Sequence, residues 1–236
     1  MNIANGFLVV ASRAAEYVLS ANFCAASIKD NYPDSHITLF VPDQLKQHVD
    51  KSAFDLVVTE GVPNHIRTKL YALSRTPYKN LTVYVDADME CRHSDVQNIW
   101  TEIDEKEDIL ITRIREYNGR IVRWKNGKLI HHCGFFMYRT NAKTIDFMQK
   151  WWENYVQQRE EPWPYTEEEY PKLLRQWDQF TFWKMLKEDK HGINIDFFKN
   201  DDARWNFVNG YVAEETKQPI IFYHHTIPSK HGDIGL

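Results

Sequence analysis

Leu81-Thr82-Val83-Tyr84-Val85-Asp86-Ala87-Asp88 is a run of strand-forming residues that ends abruptly in two carboxylates one residue apart. Valine, tyrosine and threonine suit a pleated, largely buried strand. In a parallel α/β protein, ligands bind outside the carboxyl ends of the strands, where Asp86 leaves this one. Side chains two apart on an extended backbone point the same way, so Asp86 and Asp88 can face one ion together. Paired carboxylates suit hard divalent cations such as Mg²⁺ or Mn²⁺. The competing reading of the same residues is one aspartate capping a following helix and the other solvated.

Working outward toward the N-terminus, Gly6 to Ser12 reads as a buried strand and Ala14 to Lys29 as a helix. His36 to Val41 and Phe54 to Thr59 read as further strands. This alternation points to a parallel sheet with helices on its faces. His65 to Ser74 is a helix candidate leading into the central strand. On the other side, Ser94 is a candidate N-cap for a helix through Ile103, and Asp108 to Arg113 is strand-like. Arg120 to Trp124 and Lys128 to His132 flank Asn126-Gly127, a hairpin signal, and Phe135 to Tyr138 is a separate strand. Asn141 to Gln158 is a long helix with an apolar stripe of Ile145, Met148, Trp152 and Tyr155/Val156. Glu160 to Gln176, with its prolines and acidic run, reads as a surface excursion. Asp178 to Leu186 resumes as helix; Ile193 to Phe198 and Ile220 to Tyr223 are late strands. The fold expected is an α/β class, mostly parallel central sheet flanked by helices, with a small antiparallel portion. One domain over residues 1–236 is the simplest account.

Composition narrows the function. A net charge of −4 over 236 residues provides no broad basic field, so general nucleic-acid binding is not expected. Cys24, Cys91 and Cys133 are odd in number and widely spaced, which suits a reducing compartment. The apolar run Phe7 to Ala11 is too short for a signal peptide and no stretch could span a bilayer, so a cytoplasmic location is expected. A second cluster of ligand-capable residues ends the late strand at His224 and His225. An imidazole joining two aspartates leans toward manganese, against the alternative of a hydrogen-bonded histidine at a strand end.

Taken together, these motifs resemble a nucleotide-sugar glycosyltransferase of the A-type fold, of the retaining glycogenin and lipopolysaccharide galactosyltransferase group. Tyr84-Val85-Asp86-Ala87-Asp88 matches that family's Asp-x-Asp, which holds Mn²⁺ on the donor diphosphate. Thr68-Lys69-Leu70 matches an upstream Thr-Lys-Leu whose lysine lies near the donor sugar. Asp178-Gln179 matches the pair beside the transferred sugar. His224 to Lys230 matches His-x-x-Gly-x-x-Lys, the histidine a third metal ligand and the lysine on phosphate. Tyr17, twelve residues before Lys29, has the spacing of the tyrosine that stacks on the base. The resemblance thus implies Asp86, Asp88 and His224 as metal ligands and Asp178, Gln179 and Lys69 as catalytic. It implies Ala11, Ser12, Tyr17, Lys69, Asp86, Ala87, Asp88 and Lys230 as the donor and cofactor contacts. The cofactor implied is Mn²⁺ (or Mg²⁺), the donor a UDP-hexose, the acceptor a hydroxyl, on a glycan foremost.

This chain departs from the pattern in places. Ile227 stands at the family's glycine, His132-Cys133-Gly134 stands at its Asn-Ser-Gly, and no Pro-Trp follows Lys230. Two other readings stand beside this one. A phosphatase of the haloacid dehalogenase type also sets Asp-x-Asp at a strand end, though on its first strand. A non-catalytic protein could keep the cleft for nucleotide-sugar binding alone.

Overall fold

The computed structural model describes residues 3–115, 123–125, 127–188, 192–199, 202–208, 216 and 218–225. Lys230, Ile227, Asn126 and the 120–122 part of the expected hairpin lie outside the described residues.

The quoted stretch forms strand β4 (Leu81–Asp86), buried along its length until Asp86. It lies beside β1 (Asn5–Val10) in parallel, and β1 in turn pairs in parallel with β2 (Ile37–Phe40), which carries β3 (Leu56–Val58). On its other side β4 meets β9 (His131–Arg139) antiparallel, and β9 pairs antiparallel with β6 (Ile109–Arg113), which carries β10 (Ile195–Phe197) in parallel. The seven strands run β10-β6-β9-β4-β1-β2-β3. This is the mixed, mostly parallel α/β sheet that the sequence pattern predicts.

Strand alternation sorts the core into two layers. Phe7, Val9, Val83, Val85, Phe135 and Met137 face helix α1 (Ala15–Asn31), whose Val18, Ala21, Cys24, Ala25 and Ile28 are buried against them. Leu8, Tyr84, Phe136 and Tyr138 face the opposite way, onto α2 (Thr68–Leu73), α3 (Ala142–Glu160) and α4 (Asp178–Lys187). The side chain of Asp86 follows Tyr84 by two residues and so faces the α2 side.

Several boundaries differ from expectation for local physical reasons. Ser94 is not the cap: His93 accepts the Asp95 N–H through Nδ1 at 3.2 Å, and Ser94–Thr101 winds as a tight 3₁₀ helix. Helix α2 starts at Thr68, not His65, because the Thr68 hydroxyl donates to the Pro63 carbonyl at 2.8 Å and folds the preceding residues into a turn. Gly127 pairs with Trp124 in a short ladder, β7 (Arg123–Trp124) with β8 (Gly127–Lys128), while His131 to Arg139 is one continuous strand rather than a hairpin arm and a second strand. Its register against β6 slips between Ile111 and Thr112, which lets the strand run through Gly134. On α3 the buried face is Phe147, Met148, Trp151 and Tyr155, turned slightly from the expected stripe; Ile145 and Trp152 are half-buried. The 160–176 segment is more than a surface excursion. Leu174 is fully buried, and Trp163 and Tyr170 join Trp124, Trp183 and buried Phe180 in an aromatic cluster. Among the described residues no helix is long and apolar enough to cross a membrane.

A short second sheet carries the far side of the site. Strand β5 (Met89–Cys91), too short to read from its sequence, pairs antiparallel with β12 (Phe222–His224), and β11 (Phe207–Val208) pairs in parallel with β12. This puts His224 opposite Met89, one residue from Asp88.

One half-buried histidine is expected to add to acid sensitivity. His131 stacks on Phe197 at 5.4 Å and its Nδ1 is buried with no hydrogen-bond partner. Burial, helped by nearby Arg113, pushes its pKa down from 6.5 to about 4. The unfolded chain takes a proton below pH 6.5 while the folded chain refuses it until about 4, so stability falls as pH drops through that window. His131→Phe is expected to keep the stacking and to make Tm less pH-dependent there, the remaining slope belonging to groups such as His132. Equal slopes for variant and wild type would discard this account.

Candidate active site

Four elements converge beyond the carboxyl ends of β1 and β4. Val10 stands opposite Asp86 in the ladder, so Ala11 and Ser12 leave the sheet alongside Ala87 and Asp88. Lys69, on the first turn of α2, extends its ammonium across the sheet end. It donates to the Cys133 carbonyl at 2.9 Å and stands 3.5 Å from Asp86 Oδ1 and 3.1 Å from Asp178 Oδ2. With a side chain only 12 % exposed, it is not the solvated helix lysine that its position suggests. Asp178 does not cap α4 either. Trp177 holds the cap position, and the Asp178 carboxylate instead faces Lys69 and Arg67, whose Nε lies 3.0 Å from Oδ1.

On the other flank His224 Nε2 lies 3.1 Å from Asp88 Oδ1. The Asp88 carbonyl accepts the His225 N–H at 2.9 Å, which fastens β12 to the end of the quoted stretch. Ligand atoms of Asp86, Asp88 and His224 all lie within 4.8 Å of one another. Gly134 makes room for this: a Cβ there would stand 2.7 Å from Asp86 Oδ2 and 2.9 Å from ring carbons of His132 and His224. Two carboxylates and an imidazole around a position that only glycine leaves open form a donor set that fits a divalent cation.

The charges are strongly coupled. Burial pushes the Asp86 carboxyl up, against the pull of Lys69, and Tyr84 donates its hydroxyl to Oδ1 at 2.5 Å. Burial likewise opposes ionisation of Asp178, but Lys69 and Arg67 outweigh it and hold this carboxyl below the usual range. Burial disfavours a charged His224; Asp88, with Asp86 behind it, outweighs that and raises it. Burial, with His224 and Lys69 nearby, drives His132 down to about 3, so it is neutral. A fixed anion at Asp178, paired with two cations, thus stands beside a carboxylate cluster facing an imidazole.

Lys69, Asp86, Asp88, Asp178 and His224 are therefore brought together. Ala87 is buried between the two aspartates and Gln179 is half-buried on the first turn of α4 beside Asp178. Ala11 is buried with its N–H on the Phe40 carbonyl at 3.0 Å, and the Ser12 hydroxyl donates to the His65 carbonyl at 2.8 Å. Tyr17 is half-buried on α1 and packs on the adjoining core. Arg67 is a residue that sequence reasoning missed, with one available signal, its place two residues before Lys69. For Asn206 the sequence leaves open a strand-end turn or an acceptor-side position with Arg204 and Trp205; its hydrogen bond to His224, 18 residues away, has no local signal.

No family model matches the sequence, and no curated protein matches it. Solved structures do. The galactosyltransferase LgtC, solved with donor and acceptor sugar analogues, aligns over 94% of this chain and 87% of its own at 16% identity, TM-score 0.54. A glycosyltransferase involved in glycosylation of the major capsid of PBCV-1 aligns over 94% and 92% at 11% identity, TM-score 0.55. Mouse xyloside xylosyltransferase 1 aligns over 94% and 97% at 10% identity, TM-score 0.56. The architecture is thus that of the A-type glycosyltransferases. Within that class, the chain has the fold of the LgtC type, as its sequence motifs imply.

Proposed function

We propose that this chain transfers a hexose from a UDP-sugar to a hydroxyl acceptor, with retention of configuration. The observation that carries the reading is the double bridge in the site: Lys69 joins Asp86 to Asp178 while Asp88 meets His224. Residues from four separated motifs lie together at one sheet end, where α/β sheets bind ligands. Asp86, Asp88 and His224 would hold Mn²⁺ (or Mg²⁺), the mixed oxygen and imidazole set favouring manganese. When bound, the cation supplies charge neutralisation on the donor diphosphate.

The residues of the chain supply the rest. The bond from the anomeric carbon to the phosphate oxygen breaks, and its electron pair leaves with the diphosphate. Lys69 places a fixed positive charge beside that departing group, and Lys230 would add another. Asp178 is held anionic by Lys69 and Arg67, so it can stabilise the positive charge that develops at the anomeric carbon. Gln179 would orient the sugar hydroxyls. The acceptor oxygen bonds to the anomeric carbon, and its proton passes to the phosphate oxygen that leaves. That route needs no separate protein base, which supports retention. Ala11, Ser12 and Tyr17, at the end of β1 and the start of α1, would line the nucleoside.

The test is a screen of nucleoside diphosphates and their sugars with Mn²⁺, Mg²⁺ or EDTA, read by thermal shift and by release of nucleoside diphosphate. Ligand at a hundred times its Kd adds about 2.7 kcal/mol, which for a chain this size is a Tm rise of about 5–10 °C. A rise with UDP or a UDP-sugar that requires Mn²⁺, with slow UDP release, is the expected result. No shift with any nucleotide, together with hydrolysis of an aryl phosphate, would replace the transferase with a phosphatase.

A further inference from the structure

Behind His224 lies a closed hydrogen-bond network whose donors and acceptors are fixed by the backbone. The Gly134 N–H donates to His132 Nδ1 at 3.2 Å, and a ring nitrogen that receives a backbone N–H must be an acceptor. Asn206 reaches the same nitrogen at 2.9 Å, so the atom it offers there is its amide nitrogen. That nitrogen also donates to Thr112 Oγ1 at 3.0 Å, whose own hydrogen goes to the Phe135 carbonyl at 3.1 Å. Both amide hydrogens of Asn206 are then placed. The amide oxygen that remains faces His224 Nδ1 at 2.9 Å, and an oxygen can only accept. His224 Nδ1 therefore carries the hydrogen. Its Nε2 is the atom turned to Asp88, at 3.1 Å.

We infer that Asn206 is a positioning residue that locks His224 in the Nδ1–H form, so that its Nε2 lone pair is presented to the cation between Asp86 and Asp88. The inference rests on the metal reading of the proposed function. Asn206 is 2 % exposed, at the end of the 3₁₀ turn Asp202–Trp205, and enters β11, which pairs with β12 so that Val208 stands opposite His224. Its amide is oriented by His132, the residue that stands where the resembled family has asparagine. In this chain the acceptor nitrogen of a histidine sets an asparagine, and the asparagine sets the ligand. A metal-bound histidine almost always has its second nitrogen held by such a partner, and loss of the partner typically costs 10–100-fold in metal affinity.

The experiment measures Mn²⁺ affinity of the full chain without donor, by electron paramagnetic resonance titration, for wild type, Asn206→Ala, Thr112→Val and His224→Ala. In parallel, ¹⁵N-histidine spectra of the wild type loaded with diamagnetic Zn²⁺ locate the His224 proton. Asn206→Ala is expected to weaken Mn²⁺ binding by about 10–100-fold. Thr112→Val disturbs the same network but leaves the His132 acceptor and the Nδ1 partner in place, so it is expected to bind Mn²⁺ nearly as wild type does. The loaded wild type is expected to show the proton on Nδ1. Wild-type affinity in Asn206→Ala, or a proton on Nε2 in the loaded wild type, would overturn the inference. The spectrum of the wild type decides even where Asn206→Ala fails to fold. Equal, negligible Mn²⁺ binding by wild type and His224→Ala would overturn the metal reading and the inference together. Failure of the inference alone leaves a wild type that binds tightly.

Discussion

Asp88→Ala is expected to lose Mn²⁺ binding and to reduce glycosyl transfer by about 10²–10³-fold or more, while the chain stays folded. The two halves of that expectation rest on different atoms. The carboxylate is one of the three ligand groups clustered within 4.8 Å, and its removal leaves Asp86 and His224 as an incomplete set. The backbone contact at this residue, whose carbonyl accepts the His225 N–H at 2.9 Å, is retained by alanine, while the carboxylate's pairing with His224 at 3.1 Å is lost. The side chain is 23% exposed, so its loss opens no core cavity. Removing it also relieves the like charge that helps raise Asp86. With the lost His224 pairing set against that relief, the metal-free Tm is expected to stay close to wild type. Mn²⁺ titration, donor turnover and a metal-free melt check all three. An unchanged turnover would sink the assignment of the Asp-x-Asp stretch.

Most of the sheet was legible because strand alternation and burial coincide. Val83 and Val85 go to one layer and Tyr84 to the other, as a period of two demands. The same period placed Asp86 and Asp88 at the sheet end. What failed was local. Glycine inside His132-Cys133-Gly134 reads as a break, yet the structure runs a strand through it, because the absent Cβ is what lets the Asp86 carboxylate and the His224 ring approach. Met89–Cys91 is too short for a periodic signal, and its partner β12 lies more than a hundred residues away. The same holds for the contacts that finish the site. Asn206 meets Thr112 across 94 residues and His132 across 74, and no window of sequence contains such a pair. Lys69 and Asp178 were found through motifs, but that Lys69 joins Asp178 to Asp86 is a property of the folded sheet end alone.

That bridge gives the second large effect, from Lys69→Met. Methionine fills a similar volume without the charge, so the variant tests the ammonium rather than the packing. Asp178 keeps only Arg67, and Asp86 loses the largest of the charges that offset its burial. Removing one partner of a buried ion pair costs about 3–5 kcal/mol because a charge is left uncompensated. For a chain this size that corresponds to a Tm about 6–20 °C lower. The pH dependence identifies the cause. In the wild type Asp178 is held below its ordinary range, so its contribution is present above the unfolded pKa of 3.8 and lost as pH falls through the lower folded value. Without Lys69, burial raises Asp86 further, and Asp178, left with Arg67 alone, moves up from its depressed position. The penalty is then full near neutral pH and is relieved as the folded state takes up protons on acidification. The Tm gap between wild type and Lys69→Met is therefore expected to narrow steadily from neutral toward acidic pH. Adding Asp178→Asn to Lys69→Met is expected to restore part of the stability, since a neutral amide no longer needs the cation. Activity is expected to stay lost in the double variant, because the charge beside the departing diphosphate and the anion beside the anomeric carbon are both gone. A gap that does not change with pH would mean that the stability loss comes from packing and not from the bridge. Full turnover in Lys69→Met would remove the lysine from the chemistry whatever its effect on stability.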